Sequence, residues 1–240
     1  MTPIRSWKRI AAIGCTHGDH VNWDVFKHCV AFMDRYKAEY RVHLGDVLDT
    51  AAFRSGAKGT KDESRPIAPD YNAGIRALQL MRPTHITWGN HDVRLLDLMD
   101  HPSAILSHAA GSLWNELQAL AKKLGAKTRD YDIDDGWFTF GDTDWGHGYA
   151  FGLQCLRDTA NDRRRNIVQA HSHRAEQYKK SFSVGLQANP RLLAYARRRL
   201  ATRKWSHGCV FGEVAETKTG GASNLWLSSS EPGSLPPFPL

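Results

Sequence analysis

Apolar positions change period along this chain, and each change marks an element. Residues 8–14, Lys-Arg-Ile-Ala-Ala-Ile-Gly, form a short apolar run closed by glycine, the pattern of a buried strand. Val25, Phe26, Cys29, Val30, Met33 and Tyr36 then recur at helical spacing, which predicts an amphipathic helix packed on a sheet. Residues 40–44 read as a second strand ending at Gly45-Asp46, residues 71–81 as a helix that stops before Pro83, and residues 85–88 as a third strand ending at Gly89-Asn90. The recurring unit is strand, polar turn, helix. Such alternation implies a largely parallel sheet whose site lies at the carboxyl ends of its strands.

Farther along, Pro102 opens a long helix with a stripe of Leu106, Ala110, Leu113, Leu117, Leu120 and Leu124, on which Trp114 reads as core. From about residue 128 the pattern turns to strands, at 137–140, 144–145 and 166–170. A second sheet facing the first would bury them, giving an α/β protein built as a four-layer α/β/β/α sandwich. A strand at 181–184, an arginine-rich helix at 190–201, and strands near 208–211 and 224–227 follow. Residues 55–66 hold too little apolar content for core. They form either a surface loop or a flap carrying Lys58, Lys61 or Arg65 to a substrate. Residues 228–240, rich in Ser and Pro, should not continue a sheet. The expected organisation is one domain over 1–227 followed by an extended tail over 228–240.

Composition narrows the class. With 240 residues and 41% hydrophobic content the chain suits one generous core. No stretch approaches the ~20 apolar residues of a bilayer span, and residues 1–8 lack the apolar segment of a signal peptide. Cys15, Cys29, Cys155 and Cys209 form no CxxC pair, which fits a reducing compartment. A cytoplasmic protein without membrane association or obligate protein partner is therefore expected. Cys29, on the helical stripe, reads as core. The net charge of +7 favours anionic partners, and Arg163-Arg164-Arg165, Lys179-Lys180 and Arg197-Arg198-Arg199 could line a phosphate-bearing strand or simply a solvated face.

The chemistry sits in five islands: Gly14-Cys15-Thr16-His17, Gly45-Asp46-Val47-Leu48-Asp49, Gly89-Asn90-His91-Asp92, Gly146-His147-Gly148 and His171-Ser172-His173. Phosphoester hydrolysis at neutral pH needs an oxygen nucleophile and charge neutralisation on phosphorus, which two cations about 3.5–4 Å apart supply. Such a pair takes a shared carboxylate with His, Asn and Asp on either side. Asp46 is the candidate shared carboxylate, since it ends the second strand and the preceding glycine permits a close turn. In an extended chain His171 and His173 project to one side. His20, His28, His43, His85, His101 and His108 read as surface or satisfied core. Asp49 and Asp92 could each be helix N-caps, and Asn90 a turn residue.

Taken in order, the islands resemble the signature of the calcineurin-like metallophosphoesterases: Asp-x-His, Gly-Asp-x-x-Asp, Gly-Asn-His-Asp/Glu, a lone His, then Gly-His-x-His. The resemblance spans roughly residues 8–175 and implies the four-layer sandwich. It would give one metal His17, Asp46, His173 and the residue at position 15, and the other Asp46, Asn90, His147 and His171. His91 would face substrate as proton donor, with Asp49 orienting it. The departure is Cys15, which stands where the family has aspartate. A thiolate there suits zinc, or iron, better than Mn²⁺ or Mg²⁺. A thiol that keeps its proton would leave that metal weakly bound, with Asp19 as a substitute ligand, or the site decayed to binding alone. The pattern looks most like the small members encoded by bacteria and their phages, in which Gly-Asn-His-Asp precedes Arg and Leu, here Arg94-Leu95. Ala51-Ala52 after Asp49-Thr50 lacks the Asp-Arg-Gly continuation of protein phosphatases. The expectation is two divalent ions, zinc, manganese or iron, and a phosphodiester substrate such as a nucleotide or nucleic acid. A phosphomonoesterase and a metal-stabilised nucleic-acid-binding domain are the alternatives.

Overall fold

A computed structural model of the protein describes residues 6–193, 200–217 and 220–239. Parallel strands β1 (Lys8–Ile13), β2 (Tyr40–His43), β3 (His85–Thr87) and β4 (Lys127–Arg129) lie side by side, with α1 (Trp23–Tyr36) and α2 (Ile67–Met81) in the crossovers. A short α3 (Arg94–Asp97) and the long α4 (Ala104–Lys123) connect β3 to β4. A second sheet follows from β5 (Trp137–Phe140), β6 (Thr143–Gly146), β7 (Asn166–Gln169), β8 (Ala175–Tyr178) and β9 (Ser181–Val184), with α5 (Cys155–Arg163) before β7. The chain then returns to the first sheet as β10 (His207–Thr217) and β11 (Gly220–Ser230). The sheet orders are β11-β10-β1-β2-β3-β4 and β5-β6-β7-β9-β8.

Alternation along the strands explains the layers. Ile10 and Ala12 of β1 face the second sheet with Val42, Phe138, Trp145, Val168 and Val184, whereas Ala11 and Ile13 pack on Val25, Phe26, Cys29 and Met33 of α1. On α4 the buried stripe is Ala110, Trp114, Leu117 and Ala121, with Trp114 against Trp88 at 5.4 Å. Leu106 remains partly exposed, because the helix turns its first residues away from the sheet. α5 closes the far face through Leu156 and Ala160 against Trp137 and Ile167. These are the four expected layers, α/β/β/α.

Several boundaries differ from the sequence reading. α2 begins at Ile67, four residues early, because Pro69 sits in its first turn, where a missing N–H costs no helical bond. α5 escaped notice because Arg157, Asp158, Asn161, Asp162 and Arg163 leave it only four buried residues. β11 runs to Ser230, so the first three residues of the expected tail are strand: Ser228, Ser229 and Ser230 pair with Cys209, Gly208 and His207. Serine has no conformational bar to a ladder, and β10 offers an antiparallel edge of 11 residues. The rest of the tail lies across α1, where His28 donates to the Pro236 carbonyl at 2.9 Å and Phe238 stacks on Phe32 at 3.9 Å. The expected helix at 190–201 and Arg197-Arg198-Arg199 lie mostly outside the described residues. No described helix is long and apolar enough to cross a membrane, and all four cysteines are buried and free.

Candidate metal centre

Five strands of the two sheets, β1, β2, β3, β6 and β7, end beside one another, and each of the five islands begins where its strand stops. Backbone hydrogen bonds lock the first turn to the second: Cys15 N donates to Gly45 O, His17 N to Asp46 O and Gly18 N to Val47 O, all at 2.9 Å. Gly45 has φ +81°, and a Cβ there would lie 2.6 Å from His147 Nδ1 and 2.7 Å from Gly89 N, so glycine is required for the close approach. Cys15, His17, Asp46, His171 and His173 all hold left-handed backbone, with φ between 51 and 60°. Non-glycine residues reach that region at an energetic cost, and its concentration here is the kind of strain that functional sites store.

The expected residues come together around Asp46, which is 1% exposed. On one side Cys15, His17 and His173 converge on it, with every ligand atom within 4.8 Å of the others. His17 Nε2 stands 2.9 Å from His173 Nε2 and 3.7 Å from Asp46 Oδ2. On the other side His147 Nε2 lies 3.3 Å from Asp46 Oδ2, 3.1 Å from Asn90 Oδ1 and 3.2 Å from His171 Nδ1. His171 Nδ1 is also 3.0 Å from Asn90 Oδ1. His147 turns its other nitrogen, Nδ1, to the Leu44 carbonyl at 2.7 Å, which fixes the ring.

This donor set suits a divalent cation. Burial lowers the pKa of His17 and His173, and holds His171 down at about 3, so these rings present lone pairs. Facing nitrogens can share at most one proton between them, whereas cations beside the Asp46 carboxylate would satisfy the whole set. Burial opposes charge on Asp46, but His147, His91 and His17 outweigh it and hold the carboxyl well below its usual range. Burial, and then the Asp46 carboxylate, push the Cys15 thiol well above its ordinary value, so Cys15 keeps its proton until a cation displaces it.

Asp49 serves two histidines. Its Oδ1 is 3.3 Å from His17 Nδ1 and 3.2 Å from His91 Nδ1, and its main-chain carbonyl accepts from His91 Nδ1 at 2.8 Å. Burial lowers the His91 pKa less than Asp46 and the Asp49 hydrogen bond raise it, so His91 favours its protonated form. Asp92 is no helix cap. It accepts from Leu48 N and Gly89 N at 2.9 Å each, stapling the second turn to the third, and burial raises it to about 6.

Sequence reasoning missed several partners. Asp70 on α2 accepts from Asp49 N at 2.9 Å and Thr50 N at 2.7 Å, and buried His20 places Nδ1 3.6 Å from Asp49 Oδ2. Neither lies near a motif, and only the docking of α2 reveals them. Arg65 bonds Asp19 at 2.8 and 3.0 Å and Asp49 at 3.3 Å, which occupies Asp19 and ties residues 55–66 to the back of the site. Neither Lys58, Lys61 nor Arg65 lines the cleft that opens onto the histidines, so the loop is a brace there and not a flap. Arg163 is also diverted: it bonds Asp144 at 3.1 Å and lies over Trp137 at 4.5 Å, while Arg165 holds the same carboxylate at 3.0 Å.

The sequence pattern described as calcineurin-like phosphoesterase matches residues 8–196. The chain belongs to the calcineurin-like phosphoesterases. It is a hydrolase of a metal-dependent family, and its buried His, Asp and Cys cluster is placed to bind metal. No curated protein matches its sequence. Among solved structures, this phosphoesterase is similar to Vps29 from Chaetomium thermophilum, at 12% identity over 92% of this chain and 96% of that one, with a TM-score of 0.38. It is also similar to Yfce, a phosphoesterase from E. coli, at 16% identity over 85% of this chain and 91% of that one, with a TM-score of 0.39. No residue role of this phosphoesterase rests on likenesses so distant.

Proposed function

We propose that this phosphoesterase is a phosphodiesterase acting on a nucleotide or nucleic acid at a dinuclear centre. One metal would be held by Cys15, His17, Asp46 and His173, the other by Asp46, Asn90, His147 and His171. The observation that carries this reading is the convergence of imidazole nitrogens on both sides of one buried carboxylate, Asp46. When bound, two such cations lower the pKa of a water between them and neutralise the phosphoryl oxygens.

The chain's own groups supply the rest. His91 lines the cleft of about 240 Å³ beside Asp46 and Asn90, and its preference for the protonated form suits it to give a proton to the leaving oxygen. Asp49 holds that ring and the His17 ring through their Nδ1 atoms, so one carboxylate sets the aim of both the proton donor and a metal ligand. The thiol of Cys15 biases its side of the centre towards zinc or iron over manganese or magnesium. The net charge of +7, with Arg164, Lys179 and Lys180 exposed, favours a polyanionic diester over a small neutral ester.

The test is turnover of bis(p-nitrophenyl) phosphate against p-nitrophenyl phosphate by protein loaded with zinc, iron or manganese. The diester is expected to be hydrolysed faster. His91→Ala should lower kcat by roughly 10²–10⁴-fold with metal content unchanged, and Asp46→Asn should lose both metal and turnover. Faster monoester turnover would make the protein a phosphomonoesterase. Nucleic-acid retention with no hydrolysis under any metal would overturn the enzymatic roles of His91 and Asp49.

A further inference from the structure

The cleft that opens onto the metal centre has an unusual rim. Phe151 is 74% exposed, more than Trp226 at 53%. Its ring nevertheless sits 4.8 Å from the His171 ring, at 66°, so one side rests on a proposed metal ligand and the other is open. Across the cleft Trp205 packs on His173 at 4.6 Å, but is buried to 6%. The rim under Phe151 is built and braced. Arg174 directly follows His173, is only 3% exposed, and donates to the Gly152 carbonyl at 3.0 Å, with Glu176 Oε1 also at 3.0 Å holding the guanidinium. A buried cation thus ties the segment carrying Phe151 to the turn carrying two of the histidines.

We propose that Phe151 is a stacking platform for the substrate, so that the phosphoester bound here carries a flat aromatic ring one ester link from the reacting phosphorus, as a nucleobase is carried in a nucleotide. The proposal rests on the phosphoester reading of the centre and adds the chemistry of the ester group. An exposed aromatic face gains little in water, but stacking a second ring on it recovers apolar contact without demanding a particular hydrogen-bond pattern. Its place beside His171 puts such a ring next to the phosphoryl group and outside the donor set. The cleft supplies Asn90 and His91 for the phosphate and Phe151 for the ring, which separates the two recognition tasks.

Calorimetric binding of phenylphosphonate and methylphosphonate to the zinc-loaded full chain tests this without turnover. The wild type should favour the phenyl ligand by roughly tenfold, the order expected of one stacked ring. Phe151→Ala should bring the ratio near one with methylphosphonate affinity unchanged, and Phe151→Tyr should restore it. Arg174→Lys, which cannot reproduce the fork that holds Gly152, should reduce the ratio partially. Equal affinity for the two ligands in the wild type, or a ratio untouched by Phe151→Ala, would overturn the platform and leave Phe151 as a contact for another protein. If methylphosphonate itself fails to bind the metal-loaded protein, the phosphoester reading falls, and the platform with it.

Discussion

At the scale of single residues, Cys15 is the position where this chain parts from its family, and its surroundings say what the change does. The side chain is fully buried, and its Sγ belongs to the group that includes His17, Asp46 and His173. Burial and Asp46 keep the thiol protonated in the absence of a cation, so metal uptake on that side must release a proton and should strengthen as pH rises. Cobalt substitution provides a readout: a Co²⁺ thiolate absorbs by sulfur-to-metal charge transfer, and Cys15→Asp should abolish that absorption while keeping the d–d bands. The same variant should shift metal preference from zinc towards manganese. An unchanged spectrum in Cys15→Asp would show that the thiol is not a ligand.

At the scale of elements, the strand ends do the positioning, and their packing has consequences away from the chemistry. His85 on β3 is edge-on to Phe138 at 4.8 Å and Phe140 at 4.9 Å, accepting a hydrogen bond at Nδ1 from Thr84 Oγ1 at 2.9 Å. Burial first, and Lys127 second, push its pKa down to about 4. The unfolded chain takes up this proton near the ordinary value of about 6.5, so stability is complete above that pH. It declines as pH falls towards 4, because the unfolded state then binds more protons. Urea unfolding between pH 7 and 4 should therefore show a shallower loss of stability in His85→Leu than in the wild type. Equal slopes would refute a neutral buried His85. The same scale explains what periodicity could and could not reveal. β1, α1, β2 and β3 were legible because each buries one regular stripe. α5 was not, because a helix on the outer face needs only Leu156, Ala160 and two neighbours inward. Ser228–Ser230 were misjudged because strand membership there is set by the partner β10 and not by local propensity.

At the scale of the whole molecule, the two sheets are joined at the site as well as through the core between them. β1, β2 and β3 carry Cys15, His17, Asp46 and Asn90, and the second sheet carries His147, His171 and His173. A metal bridging these residues binds the folded state and crosslinks the sheets, so it should stabilise by mass action. Chelation of the purified protein is expected to lower Tm by several degrees and restoration of zinc to recover it, whereas Asp46→Asn should be indifferent to both. A Tm unaffected by chelation in protein shown to contain metal would contradict this coupling.

The sequence alone determined the order of strands and helices in the first half, the sandwich class, and the identity of the residues around Asp46, because hydrophobic period and a motif of fixed residue types are local properties of a chain. Only the tertiary structure decided which neighbours those residues have. Asp70 and His20 reach Asp49, Arg65 braces it, Arg163 turns to Asp144, and Phe151 comes to stand beside His171. Each is a contact between segments distant in sequence, fixed by how helices and sheets dock, and no periodicity along the chain encodes that docking.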